Sequence, residues 1–325
     1  MIYFKFPFDE KLYATDNHHK CESISFHSFN NEQKIDIPGN IIEINQAEFG
    51  DLKISSEILP YDNAGFVAEN KGEYLHKLEK VIEIIRENNL PKVVLSRRKI
   101  YNDFKEVDLK NSFLNLCSNY PNAFRYIFFD GETSWMGAFS EVLGKFNKIT
   151  HEFETMSLAG TIPVSEEWTE KEIEEQKPVS SYIRNILSRY CDKNSIQESE
   201  TYDHLSGNIK HLRTDFKIKI TPDSLDKLIQ ELHPTPAVCG IPKEFCKEII
   251  ENTEKFPREL YAGFIKIETE SFIQYFVNLR CARLYRNAVH LFVGGGITAQ
   301  SNPEKEWKET ELKSQAVLNN LVLIN

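Results

Sequence analysis

Two extended apolar runs, ELYAGFIKIE (259–268) and SFIQYFVNLRCARLY (271–285), are separated only by Thr269-Glu270. Two residues cannot carry a parallel crossover, which needs a dozen or more, so these runs must form an antiparallel hairpin. VVLSRRKIY (93–101), FRYIFFD (124–130), SWMGAFSEVLGKF (134–146), HEFETMSL (151–158), DFKIKI (215–220) and AVHLFVGGGIT (288–298) also read as extended. Asp130-Gly131 is a turn pair, and the glycines after Val293 are expected to end their strand in a tight turn. Helices are expected at 71–90, where Leu75, Leu78, Val81, Ile82 and Ile85 share one face and Pro91 stops the run, and at 166–190, 222–232 and 243–255. Pro178 is expected to kink or shorten the second of these. A final helix follows Ser301-Asn302-Pro303, a capping sequence with proline at a tolerated first-turn position. Hairpins mixed with separate helices predict an α/β chain of the α+β type with antiparallel-rich sheets and helices outside, not a doubly wound parallel sheet. Residues 1–70 carry only short apolar patches such as Ile41–Ile44 and are expected to form irregular strands.

The 325 residues suffice for one large domain, and no linker or repeat divides them. Lys and Arg number 39 against 49 Asp and Glu, a net charge of −10, so no nucleic-acid or membrane partner is expected. An anionic ligand would have to be met by a local cluster or a metal. The six cysteines, Cys21 among them, contain no C-x-x-C pair and are expected to be reduced and mostly buried. The N-terminus lacks an uninterrupted apolar stretch and no run approaches 18 apolar residues, so a soluble, cytoplasmic protein is expected.

Glu306, Glu309 and Lys313 fall within about a 60° arc of the last helix. Glu172 and Glu175 repeat the spacing of three, and their face continues through apolar Val179, Ile183 and Ile186. Core-facing carboxylates need a partner, and a hard cation between two such helices would serve; oxygen-only ligation suits Mg²⁺. Spacing alone fits a solvated face as well, which is the expectation for Glu248, Glu251 and Glu254. Lys92 stands just before an apolar strand and Arg280 lies within one. A lysine at the ordinary value of about 10.4 is neutral only about once in 2,500 at pH 7, so a basic role for Lys92 would need its surroundings to favour the neutral form.

Nine motifs occur in an order that resembles the chorismate-utilising enzymes, the family of anthranilate synthase component I, aminodeoxychorismate synthase, isochorismate synthase and salicylate synthase. They are Lys92-Val-Val-Leu-Ser-Arg97, Ser140-Glu141-Val-Leu, Leu158-Ala-Gly-Thr161, Lys171-Glu-x-x-Glu175, His211-Leu-x-Thr214, Leu232-His-Pro-Thr-Pro-Ala237, Arg258-Glu-Leu-Tyr-Ala-Gly263, Gly294-Gly-Gly-Ile297 and Ser301-Asn-Pro-x-x-Glu306-Trp-x-Glu309-Thr. The resemblance spans residues 70–320 or so, with 1–70 a shortened N-terminal part of one structural domain and 71–325 its catalytic region. It implies two layered antiparallel-rich sheets with the site in a cleft near them.

Within the family the chain looks most similar to isochorismate synthase. Water-using members carry lysine where Lys92 stands, where anthranilate synthases carry glutamine. Ala159 separates it from aminodeoxychorismate synthases, and Ala237 from the salicylate synthases, which carry threonine there. Leu279 also fits the salicylate branch, so a lyase that goes on to release pyruvate is the alternative. A catalytically silent chorismate-binding module would not need Lys92, Glu141 and both acidic pairs intact.

The resemblance implies Lys92 as general base toward water at C2 of chorismate and Glu141 as general acid toward the departing C4 hydroxyl. It implies Mg²⁺ on Glu175 and Glu309, with Glu172 and Glu306 acting through water or as supports. Arg280, Tyr261 and Lys313 would grip the enolpyruvyl carboxylate with backbone N–H groups near Gly295 and Gly296, while Gly160, Thr161, His211 and Ala237 would line the pocket. No glutamine amidotransferase subunit is implied, and a monomer is. The product could feed menaquinone, siderophore or salicylate synthesis.

Overall fold

The computed structural model describes residues 1–16, 23–51, 54, 56–206 and 209–324. Among them every strand pairing is antiparallel, and most strands fall into two nine-stranded sheets. The first runs, in spatial order, β15 (Gly240–Ile241), β6 (Lys92–Tyr101), β19 (Val289–Ile297), β18 (Cys281–Leu284), β9 (Ser134–Phe139), β8 (Phe124–Phe129), β1 (Ile2–Lys5), β2 (Leu12–Thr15) and β5 (Ile41–Ile44). The second runs β12 (Gln197–Glu198), β14 (Ile209–Lys219), β11 (Glu152–Pro163), β10 (Val142–Asn147), β17 (Phe272–Val277), β16 (Phe264–Glu268), β3 (Ile24–His27) and β4 (Lys34–Ile37), with β13 (Tyr202–Ser206) also on β14. A small ribbon joins β7 (Glu106–Asp108) to β20 (Val322–Ile324). The α-helices are α1 (Gln46–Asp51), α2 (Lys71–Glu87), α3 (Leu109–Asn119), α4 (Glu170–Leu187), α5 (Leu225–Leu232), α6 (Lys243–Thr253) and α7 (Pro303–Leu318).

Period-two alternation separates two cores. Phe124, Tyr126 and Phe128 point one way along β8, into a layer shared with the second sheet, while Ile127 points the other way, beneath α3. The shared layer is aromatic: Phe124 stacks on Phe276 at 4.6 Å between centroids and Phe128 on Phe26 at 5.1 Å. Truncating a ring here removes both area and packing. Phe276→Ala is expected to cost about 3–5 kcal/mol and to lower the melting temperature by several degrees. Phe8→Ala, at a ring that is 81% exposed, should leave it unchanged. Paired thermal melts test this contrast.

The expected elements are present, with informative differences. SWMGAFSEVLGKF is not one strand: the chain leaves the first sheet after Phe139 and joins the second at Val142. SFIQYFVNLRCARLY makes the reverse passage between Val277 and Cys281. The three glycines do not form a turn. Gly294, Gly295 and Gly296 lie within β19, paired with Ser96, Leu95 and Val94 of β6. The strand expected at 215–220 begins earlier, at Ile209, and so carries His211. Pro178 lies inside α4, in its third turn, where it removes one backbone donor, and the helix still runs on to Leu187. Glu248 and Glu251 are exposed as expected, but Glu254 turns inward, accepting from the Ser96 N–H and the Arg258 guanidinium, both at 2.6 Å. The five described cysteines are free, four of them buried; Cys21 lies outside the described residues. No described helix is long and apolar enough to cross a membrane.

Candidate active site

A cavity opens where α4, α7, β6, β11 and β19 meet the two passages between sheets. It is lined by Lys92, Glu141, Gly160, Thr161, Glu172, Glu175, His211, Ala237, Tyr261, Arg280, Gly295, Gly296, Glu309 and Lys313, which is every residue singled out in the sequence except Glu306. These come from ten separate stretches of chain. Glu306 lies behind the wall, 3% exposed, accepting from the Ser301 hydroxyl at 2.8 Å.

Lys92 opens β6 and is 5% exposed. Its Nζ donates to Glu175 Oε1 of α4 at 2.6 Å, which ties the first sheet to a helix lying on the second. The Lys92 side chain crosses β19 at Gly296. A Cβ on Gly296 would strike Lys92 Cε and would stand 3.0 Å from its Nζ and 3.2 Å from Glu175 Oε1.

Glu141 stands on the passage from β9 to β10, 4% exposed. Thr235 donates to its Oε1 at 3.0 Å. Burial pushes the carboxyl up to about 7; the Thr235 bond and the Lys92 charge oppose this but are outweighed. Sequence reasoning quoted Thr235 inside the Leu232–Ala237 motif without giving it a role. Its hydroxyl can face Glu141 only because that segment folds back over the sheet passage.

His211 is held neutral, well below its ordinary value, by desolvation and the neighbouring Arg280 charge. Its Nδ1 lies 2.9 Å from the Gly160 carbonyl, so it carries the proton and donates there, leaving Nε2 to accept from Arg280 at 3.2 Å. Gly160 has φ +69° at an irregularity in the β11–β14 register, and this left-handed residue turns its carbonyl toward His211. Arg280 also has positive φ, +43°, on the passage from β17 to β18, a strained placement of the kind that persists where surrounding structure fixes it. Its carbonyl accepts from the Ala138 N–H at 3.3 Å, and the Glu141 carbonyl accepts from the Val277 N–H at 3.1 Å, so each passage between sheets is pinned to the strand beginning or ending the other.

The carboxylates are distributed rather than clustered. Glu172 closes a capping box at the start of α4, accepting from the Thr169 N–H at 3.1 Å and from the Thr169 hydroxyl. Glu309 pairs with Lys313 Nζ at 2.6 Å, and that ammonium also donates to the Gly294 carbonyl at 3.0 Å. Among the described residues no three His, Cys, Asp or Glu groups converge as a ready-made metal centre. The space between the helices nonetheless suits a hard cation. Glu306 Oε2 and Glu309 Oε1 lie 3.3 and 3.9 Å from where a Cβ on Gly295 would stand, and Glu175 lies beside that of Gly296. The donor set is oxygen only, from two facing helices against a strand that lacks side chains.

Two nine-stranded antiparallel sheets meet at a cavity that carries a buried lysine, an acid raised by burial and carboxylates from two helices, the groups of an acid–base enzyme. The sequence profile of chorismate binding enzymes matches residues 53–322, and the chain belongs to that family. The vibriobactin-specific isochorismate synthase of Vibrio cholerae is 27% identical over 276 residues, 78% of this chain and 68% of that one. The fold superposes on MenF, the menaquinone-specific isochorismate synthase of Escherichia coli, with TM-score 0.79, 19% identity and coverage of 98% and 88% of the two chains. It superposes on anthranilate synthase component I of Streptococcus pneumoniae with TM-score 0.71, 17% identity and coverage of 98% and 90%. The expected fold is thereby met.

Proposed function

We propose that this chain is an isochorismate synthase that interconverts chorismate and isochorismate by adding water at C2 and releasing the C4 hydroxyl. One observation carries the reading: a buried lysine and a carboxylic acid half-protonated near pH 7 line the same cavity. Isomerisation by water needs both at once, a base to take the proton of the incoming water and an acid to give one to the departing hydroxyl. Lys92 is the base and Glu141 the acid. Thr235 keeps the Glu141 carboxyl oriented, and burial keeps it protonated. Glu175 holds the Lys92 ammonium nitrogen in place through the 2.6 Å contact.

Arg280 and Lys313 bind the enolpyruvyl carboxylate, with Tyr261 beside them. Neutral His211 fixes the Arg280 guanidinium from behind, and Gly160, Thr161 and Ala237 shape the wall. Glu175 and Glu309 hold Mg²⁺, supported by Glu172 and Glu306. Bound there, Mg²⁺ would supply positive charge to neutralise a substrate carboxylate. The enzyme works as a cytoplasmic monomer.

The test is a time course of chorismate with the purified chain, with Mg²⁺ and with EDTA, following isochorismate, salicylate and pyruvate. Isochorismate rising to a plateau only with Mg²⁺ is the expected result; pyruvate and salicylate released together would make the chain a salicylate synthase instead. Glu309→Gln removes one carboxylate charge from the cation's site. It is expected to raise the Mg²⁺ concentration for half-maximal activity at least tenfold, and a variant with the wild-type Mg²⁺ titration would remove Glu309 from the ligand set.

A further inference from the structure

The catalytic cavity meets two others. A larger one, about 790 Å³, touches it only at Ser140, and a smaller one, about 260 Å³, shares Arg280 and Lys313 with it. We infer that the smaller cavity is the mouth through which the anionic substrate reaches the site, and that it draws the substrate in by charge. The inference rests on chorismate, a dianion, being the substrate.

Charge separates the two candidates. The larger cavity is lined by four acids, Asp9, Glu154, Glu198 and Asp215, against three permanent cations, and Glu154 and Asp215 already pair with two of those cations at 2.8 and 2.7 Å. The smaller one has no acidic residue among its described lining, and its two charged members are Arg280 and Lys313. One wall is a face of α7 at helical spacing, Leu312, Gln315 and Asn319; the other is the C-terminal end of α3 with Tyr120. On a chain of net charge −10, an opening whose described lining carries two cations and no acid repels a dianion less than the larger cavity does. Lys313 then acts twice: it faces the mouth, and it is held toward the catalytic cavity by Glu309 and the Gly294 carbonyl. An arriving carboxylate therefore meets on the way in the same cations that bind it at the end.

Gln315 is exposed on the rim and has no part in the binding or chemistry described above. The experiment measures the association rate of chorismate with Mg²⁺ by stopped-flow fluorescence in the Lys92→Gln background, where chemistry does not follow binding. Adding Gln315→Lys is expected to raise the rate roughly threefold at low ionic strength and Gln315→Glu to lower it by as much, both effects shrinking as the Debye length falls below about 8 Å. Lys145→Glu, on the larger cavity, should leave the rate unchanged. Without any rim substitution, association should slow as salt is added, whereas approach over the net negative surface would quicken. Equal rates for both Gln315 variants, a rate that rises with salt, or a loss confined to Lys145→Glu would each overturn the inference. Isochorismate formed undiminished by Lys92→Gln would sink the proposed chemistry and leave the association rates readable; no chorismate binding to the folded chain would overturn both.

Discussion

Lys92→Gln is expected to lower isochorismate formation by about 10²–10⁴-fold, the range for losing a positioned general base, while Mg²⁺-dependent chorismate binding stays within a few-fold of wild type. Glutamine keeps a polar, donor-bearing side chain at this position, one bond shorter than lysine and without the charge that meets Glu175 at 2.6 Å. It cannot take a proton from water. The loss should therefore fall on kcat, and KM should change little. Chromatographic quantitation of isochorismate beside a binding titration separates the two quantities. Undiminished product would remove Lys92 from the base role, and lost binding would make it a substrate ligand instead.

Glu141→Gln is expected to cost activity on the same scale and, above neutral pH, to gain stability. The activity loss follows from removing a cavity carboxyl that burial holds up to about 7. The wild-type rate should fall as pH rises through about 7, because the acid is then ionised, and this limb should vanish from the residual activity of the variant. For stability, the folded value lies above the ordinary 4.5, so folding favours the protonated carboxyl. That contribution is fully present below pH 4.5 and is lost as pH rises through about 7, where burying the ionised form costs roughly 3 kcal/mol. Neutral glutamine avoids that cost. Chemical denaturation at pH 5 and at pH 8 should show the variant gaining on wild type only at the higher pH. Equal gains at both would mean that charge is not the cause.

The sequence made individual elements legible wherever one short-range rule governed them. Pro303 behind Asn302 marked the start of α7, and the Thr269-Glu270 gap marked the β16–β17 hairpin. The site residues were legible through motif order, which grouped side chains from nine motifs without giving their geometry. What stayed hidden was every feature set by long-range contact. Ser140-Glu141 sits inside a run that reads as extended on both sides, with no proline, glycine or turn pair at the point where the chain changes sheets. The three glycines look like a turn because glycine is common in turns; what crowds them comes from far along the chain, the Leu95 carbonyl and Tyr261 hydroxyl at Gly294 and the Lys92 side chain at Gly296. Glu254 carried the same spacing as exposed Glu248 and Glu251, and only the neighbouring Arg258 and Ser96 distinguish it.

Glu141 and Arg280 both stand where the chain steps from one sheet to the other, while Lys92 belongs wholly to the first sheet. The separation between acid and base is thus a measure of how the two sheets sit against each other across the layer of Phe26, Phe124, Phe128 and Phe276. Catalysis works as a gauge of that registry. A conservative change among those rings is expected to silence the enzyme by sliding one sheet a fraction of an ångström, in a protein whose melting point barely moves.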